Sequence, residues 1–174
     1  MKFVYDDGGR SAAGYKGHTG DCVVRAVAIA TGIPYQEVYV ALSEGSRNQR
    51  LTKRSRTKAS ARNGVNVKRK WFKDYMESLG WKWHPTMLIG QGCKVHLKDG
   101  ELPMGRIVVS VSKHYTAVID GVIHDTYNPS ANRGVTIYPP STPTHLLPKK
   151  AYWLENGNGW GYSPDRCVYG YWSK

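Results

Sequence analysis

The chain has 174 residues, of which 40% are hydrophobic; its 12 Tyr and 6 Trp exclude a wholly disordered protein and predict one domain with a real core. Its formal charge of +12 comes from 25 Lys and Arg against 13 Asp and Glu. No apolar run approaches the ~18 residues of a membrane span, and no signal-peptide pattern opens the sequence, so we expect neither membrane insertion nor secretion.

The first half of the chain predicts an edge strand followed by helices. Phe3-Val4-Tyr5 forms the strand, and an apolar helix then opens at Cys22, runs to Thr31 and is closed by Gly32. Two further helices are predicted over residues 34–43 and 66–79. On the last of them, aromatic and apolar residues recur at helical spacing, which favours core packing.

The second half predicts β-structure around a proline-rich excursion at residues 128–150. The strands are expected over residues 81–83, 86–89, 106–112, 114–119, 122–127 and 166–172. Helices first and an antiparallel sheet second give the order of an α+β fold. We therefore expect one domain over residues 1–174, with a basic mobile insertion at about 45–66.

The turn Asp120-Gly121 fixes the geometry of one hairpin. Asp-Gly favours a two-residue turn with both residues at positive φ, which places Thr116 opposite Asp125. Because side chains alternate between faces, His114 and Asp125 become diagonal neighbours on one face. A slip of one residue would reverse this choice, so Asn128 is the alternative partner for the histidine.

Cys22 follows a Gly-rich turn and opens the first helix. A helix N-terminus carries unpaired N–H groups and partial positive charge, which favour a thiolate. We expect Cys22 to act as nucleophile, His114 as base and Asp125 as the residue that orients the imidazole. The backbone N–H of Cys22 would supply one oxyanion donor. The alternative is a small buried cysteine that packs an apolar helix.

With these motifs the chain resembles the papain-like cysteine peptidase superfamily. The nearest likeness is to leader peptidases that process double-glycine bacteriocin precursors, and to related small phage or bacterial proteins. The resemblance implies a papain-like fold, with N-terminal helices packed on a C-terminal antiparallel sheet. It also implies a peptidase, isopeptidase or amidase activity on a protein or peptide substrate. The roles given above for Cys22, His114 and Asp125 are the ones that the family assigns to these positions. The family usually has glutamine six residues before the cysteine as an oxyanion donor; here that position is Lys16, and His18 or Thr19 is the candidate replacement.

The positive charge is concentrated between residues 45 and 73. This segment carries eleven Lys and Arg and no acidic residue, so the remainder has 14 basic (25 − 11) and 13 acidic residues. Clustered cations of this kind bind RNA or DNA phosphates, and the alternatives are a solvated loop or a surface that steers an acidic protein. The candidate nucleic-acid contacts are Arg47, Arg50, Lys53, Arg54, Arg56, Lys58, Lys68, Arg69 and Lys70.

The three cysteines form an odd and sparse set, which predicts free thiols in a reducing cytoplasm, for this chain that of a bacterial host cell. Cys93 and His96 have the spacing of half a zinc site, but no second pair of similar spacing follows, so no metal and no cofactor are expected. Two functions remain open: a cysteine hydrolase, and a catalytically inactive papain-like fold that binds nucleic acid or a host protein through residues 45–73.

Overall fold

A computed structural model of the chain describes residues 1–49, 61–130, 136–148, 151–154, 157–162 and 165–174. Its helices are α1 (Cys22–Thr31), α2 (Tyr35–Asn48) and α3 (Lys70–Ser78), with short 3-10 helices at Ala61–Asn63 and Thr144–Leu146. Its strands are β1 (Lys2–Tyr5), β2 (Lys82–Pro85), β3 (Arg106–Val111), β4 (His114–Ile119), β5 (Val122–Asp125), β6 (Thr136–Tyr138), β7 (Tyr152–Trp153), β8 (Trp160–Tyr162) and β9 (Val168–Ser173). The α+β class predicted from the sequence is confirmed.

The main sheet has six strands in the order β1-β5-β4-β3-β9-β2. Strand β1 lies at an edge, as predicted, but it pairs parallel with β5, while the other neighbours pair antiparallel. The sheet is therefore mixed, and the prediction of a purely antiparallel sheet was wrong. A two-residue turn can return β5 only alongside β4, so the free edge of β5 is left to the N-terminal strand.

The core lies on both faces of the main sheet. On one face, the apolar side of α1 packs with α2 and α3 against Val108, Tyr115 and Trp172. On the other face, Val109 and Val118 pack with Leu97 and its neighbours. Helix α1 is apolar almost all round and is buried along its length, which holds its first residue, Cys22, in a fixed position beside the sheet.

Helices α2 and α3 have bounds that differ from the prediction. Helix α2 continues past residue 43 to Asn48 because Ser46 is buried and Gly45 lies so close to Trp71 that a methyl group could not fit between them. The supposed insertion at 45–66 is therefore partly helical, and residues 50–60 lie outside the described part of the chain. Helix α3 begins at Lys70 rather than at residue 66, because the Asn66 side chain accepts a hydrogen bond from the Lys68 N–H and forms a local turn instead.

Two predictions in the second half of the chain were also wrong. Residues 86–89 form no strand, and Ile89 is fully exposed; the strand at this edge is β2, which pairs with β9. The excursion at 128–150 is not wholly irregular, because Thr136–Tyr138 is the first strand of a separate three-stranded sheet of order β6-β8-β7. A short strand of this kind gives too few residues for an alternating pattern to be recognised.

A disulfide joins Cys93 to Cys167, and Cys22 is the one free thiol among the three cysteines. The expectation of three free thiols was wrong, because an isolated backbone bridge between His96 and Cys167 brings the two distant segments together. A cytoplasmic location stays a prediction, since cysteine usage no longer argues for a reducing compartment. Among the described residues, no helix has both the length and the apolar character needed to cross a membrane.

Candidate active site

Cys22 is the first residue of α1 and is partly exposed. The preceding residue, Asp21, makes no side-chain capping hydrogen bond to the helix. The Asp21 side chain therefore does not cap α1, and Cys22 lies at the helix end that carries partial positive charge. The predicted position of this cysteine on a helix N-terminus is confirmed.

The Asp21 carboxylate is buried in a polar network of its own. It pairs with Arg10 (Nε to Oδ2, 2.9 Å) and with Arg25, and it accepts a hydrogen bond of 2.6 Å from the Tyr35 hydroxyl. Two cations and a hydroxyl compensate one buried carboxylate, which satisfies the general condition for a charge in the interior. This network holds in place the backbone immediately before Cys22.

The hairpin that carries the other two residues has the predicted register. Asp120 and Gly121 have φ values of 47° and 77°, both in the left-handed region, and Val118 pairs with Ile123 across β4 and β5. Continued by two residues, this register sets Thr116 opposite Asp125. His114 then lies opposite Tyr127, and the two rings pack with their centroids 4.8 Å apart.

His114 and Asp125 form a buried pair. The distance from His114 Nε2 to Asp125 Oδ2 is 2.6 Å, and their side chains are 5% and 4% exposed. The other carboxylate oxygen, Oδ1, accepts a hydrogen bond of 2.7 Å from the Thr126 N–H, which fixes the carboxylate plane. The carboxamide oxygen of Asn128 is engaged by Ser130, so the structure brings Asp125 and not Asn128 to the ring.

Cys22 lines the same cavity as His114, and each of the two groups shifts the pKa of the other. Burial raises the pKa of the Cys22 thiol, but a hydrogen bond to His114, the positive charge of that ring, the Tyr115 N–H and Arg25 together bring the pKa below its ordinary value. Burial lowers the pKa of His114, but hydrogen bonds to Asp125 and Cys22 and their charges raise it above its ordinary value. The two shifts have opposite signs because a thiolate and an imidazolium stabilise each other, and Asp125 adds to the shift of His114.

Cys22 and His114 open into a cavity of about 440 Å³, which we call the thiol cavity. Sequence reasoning missed one residue in its wall, Asn63, whose backbone lies next to the Gly-rich turn that precedes Cys22. The Thr19 hydroxyl donates to the Arg62 carbonyl, and the backbone of Asn63 lies against Gly20, two residues before the cysteine. A residue of the 3-10 helix at Ala61–Asn63 gives no periodic signal in the sequence, so only the fold brings it to the site.

Neither Lys16 nor His18 lines the thiol cavity. The Lys16 carbonyl accepts a hydrogen bond from Arg10, and its side chain is exposed. His18 lines a different cavity, which it shares with Thr19 and Tyr127. The structure therefore places no side chain from the predicted oxyanion positions 16 and 18 beside the Cys22 sulfur.

The candidate nucleic-acid contacts divide into two groups. Arg47 lies exposed in the last turn of α2, and Lys68, Arg69 and Lys70 lie before and at the start of α3. The rest of the predicted set, Arg50, Lys53, Arg54, Arg56 and Lys58, lies outside the described residues.

Cys93 and His96, which have the spacing of half a zinc site, both make other contacts. Cys93 is in the disulfide, and His96 Nδ1 lies 2.9 Å from a carboxylate oxygen of Glu101. Across the described ranges, no group of three or more His, Cys, Asp or Glu residues is arranged to hold a metal ion.

No protein-family model, no curated protein and no solved structure matches this chain significantly.

Proposed function

We propose that the protein is a papain-like cysteine hydrolase that acts on an amide, isopeptide or ester carbonyl of a protein or peptide. The observation that carries this proposal is that Asp125 holds one nitrogen of His114 at 2.6 Å while Cys22, the first residue of a helix, lines the same cavity as the His114 ring. A cysteine nucleophile, a histidine base and a carboxylate that orients the histidine form the arrangement used by covalent hydrolases.

The chemistry follows from the protonation states. The Cys22 thiolate attacks the carbonyl carbon, and the carbon–oxygen π electrons move to the oxygen. The His114 imidazolium then gives its proton to the leaving nitrogen or oxygen, and a thioester to Cys22 remains. Water attacks the thioester as the neutral His114 takes its proton, the acid product departs, and the thiolate–imidazolium pair is restored. Asp125 keeps the ring aligned through both proton transfers.

Two donors would hold the oxyanion. The first is the Cys22 N–H, which no capping side chain occupies. The second is the carboxamide of Asn63, a residue of the same cavity wall whose side chain has the chemical group that glutamine provides in the family that this chain resembles. This assignment replaces the expected donor at His18, whose side chain lines another cavity.

The test is the pH dependence of Cys22 alkylation by iodoacetamide, with the adduct located by mass spectrometry. Because Cys93 and Cys167 are joined, Cys22 is the thiol that reacts in the oxidised protein. We expect an inflection well below the ~8.5 of an ordinary thiol, which returns toward that value in His114→Ala. An unreactive Cys22, or the same inflection in both proteins, would refute the proposal.

Nucleic-acid binding is a second candidate function, favoured by one observation. Arg47 at the end of α2 and Lys68, Arg69 and Lys70 at the start of α3 place cations on both sides of the basic residues 50–60. Salt-sensitive binding of RNA or DNA that survives Cys22→Ala and is weakened by Arg47→Ala would support it. Binding that does not respond to salt would exclude it.

A further inference from the structure

The thiol cavity continues into a second cavity along the sheet. The second cavity, of about 310 Å³, ends at the start of α3. The two cavities share five wall residues, Val67, Lys68, Ser110, Tyr115 and Tyr169, and therefore adjoin; we call the two together the basic groove. It runs from the Cys22 sulfur to the N-terminus of α3.

The basic groove carries charge of one sign. Its described wall includes no acidic residue and five cations: Lys68, Arg69, Lys70, Lys73 and Lys113. This excess is not a general surface property, because the chain outside residues 45–73 is nearly neutral, with 14 basic (25 − 11) and 13 acidic residues. A concave surface lined by one sign of charge concentrates its field and attracts the opposite charge.

Three of these cations, Lys68, Arg69 and Lys113, have no carboxylate ion pair within the described part of the chain. Lys70 pairs with Asp74 at 2.8 Å and Lys73 with Glu77 at 3.6 Å, one helical turn further along α3. Lys68 and Arg69 make no such ion pair among the described residues. They precede the positive end of the α3 dipole, where a cation is unfavourable unless an anion binds beside it.

Hydrogen-bond donors in the same wall are also without acceptors. Arg69 Nε and Trp172 Nε1 are buried and have no acceptor among the described residues, and Trp172 is 3% exposed. Buried donors are normally satisfied, so each indicates a missing acceptor. Tyr115 lines both cavities, and burial raises its pKa to about 12, so it adds no charge to the groove.

We propose that the basic groove binds an acidic peptide segment, so that the substrate carries Asp or Glu a short distance from the carbonyl attacked by Cys22; this inference rests on the proposed hydrolase. Lys68 and Arg69 bind the carboxylates, and the aromatic floor of Tyr115, Trp83 and Trp172 packs against the intervening chain. The cations lie in the wall of the thiol cavity, where Lys68 and Lys113 are, and at the start of α3, so acidic residues near the attacked carbonyl would meet the opposite charge. A peptide is favoured over a nucleic acid because the groove includes the thiol that is proposed to attack a peptide carbonyl.

The test uses the Cys22→Ala protein, so that binding is measured without turnover. Short fluorescent Gly/Ala peptides carrying Glu, Gln or Lys at the same positions are titrated, and anisotropy is recorded at low and at physiological salt. We expect the Glu peptide to bind about tenfold more tightly than the Gln peptide, as charge-assisted hydrogen bonds predict, and the Lys peptide most weakly. The preference should be lost in Lys68→Gln and Arg69→Gln and reversed in the Lys68→Glu/Arg69→Glu double variant.

The matched control is Lys2→Glu, the same reversal at an exposed lysine on β1, at the opposite edge of the sheet from β2. It should keep the wild-type preference. Equal affinity for the three peptides, or a preference unchanged by Lys68→Gln and Arg69→Gln, would overturn the inference. Tighter binding of a single-stranded oligonucleotide of equal charge, lost in the same variants, would overturn it in favour of nucleic acid. Because iodoacetamide reactivity tests the hydrolase separately, either proposal can fail alone.

Discussion

Asp125→Asn and Asp125→Ala should separate the charge of the orienting residue from its hydrogen bond. In Asp125→Asn, the carboxamide oxygen still accepts from His114 Nε2, while the negative charge beside a ring that is 5% exposed is removed. A hydrogen bond to a charged group contributes about 1.5–3 kcal/mol and a neutral one about 0.5–1.5 kcal/mol. The thiolate–imidazolium pair is therefore destabilised by about 1–1.5 kcal/mol, which is about tenfold in its population.

Asp125→Ala removes the acceptor as well and leaves the buried imidazolium without its carboxylate partner. Removing one partner of a buried pair costs about 3–5 kcal/mol, so the population should fall by about 10²- to 10⁴-fold. The measurement is the rate of Cys22 alkylation by iodoacetamide at a pH between the pKa values of Cys22 and His114, where the thiolate–imidazolium pair competes with the neutral thiol–imidazole pair. Thermal unfolding, followed by circular dichroism, establishes that each variant is folded.

The matched control is Asp120→Asn, the same substitution at the other end of the same hairpin. Asp120 Oδ1 accepts from the Gly105 N–H at 3.0 Å, and Asn-Gly suits the turn as well as Asp-Gly does, so its alkylation rate should equal that of the wild type. If Asp125→Asn and Asp125→Ala reacted as fast as the wild type, Asp125 would have no orienting role. If Asp120→Asn lost as much as Asp125→Asn, the effect would belong to the hairpin and not to the charge.

Three further predictions follow from the site and the disulfide. Hydrolysis of an activated ester should follow a bell-shaped pH profile. The thiolate is lost as pH falls through the lowered pKa of Cys22, and the imidazolium is lost as pH rises through the raised pKa of His114. A rate that rises steadily with pH would contradict the thiolate–imidazolium pair. Asn63→Ala should lower the ester turnover number by about 10²- to 10³-fold without changing the iodoacetamide rate, and equal turnover would remove Asn63 from the oxyanion site. Replacing Cys93 and Cys167 by Ser opens a loop with a sequence separation of 74 residues and should lower the free energy of unfolding by about 4 kcal/mol; an unchanged urea midpoint would show that the bond does not form in the protein.

The hairpin could be predicted because its geometry is local. Asp120 and Gly121 determine the turn, the turn determines the register, and the register determines which face His114 and Asp125 share. The start of α1 at Cys22 is local in the same sense, since a Gly-rich turn precedes an apolar helix. Each of these steps uses neighbours in the chain, and the structure has each of them.

The proximity of Cys22 to His114 is not local. The residues of the chain give no register between a helix and a strand so far apart in sequence, and the expectation came from the resemblance to papain-like peptidases. The position of Asn63 could not be predicted, because no resemblance indicated it. Asn63 reaches the thiol cavity because the Thr19 hydroxyl binds the Arg62 carbonyl, a contact between two irregular segments. The disulfide between Cys93 and Cys167 was not predicted for the same reason, and the odd number of cysteines in the chain favoured free thiols.

One signal in the sequence of α1 was available and points to the same site. Arg25 interrupts an otherwise apolar helix, and a buried arginine requires a partner. Its partner, Asp21, adds a negative charge next to Cys22, which alone would disfavour the thiolate. Because Arg10 also pairs with Asp21, the network as a whole does not oppose the thiolate, and Arg25 itself lowers the pKa of Cys22. The charge in the middle of this helix is therefore part of the electrostatics of the nucleophile, and it explains how a buried carboxylate can adjoin a thiol that ionises readily.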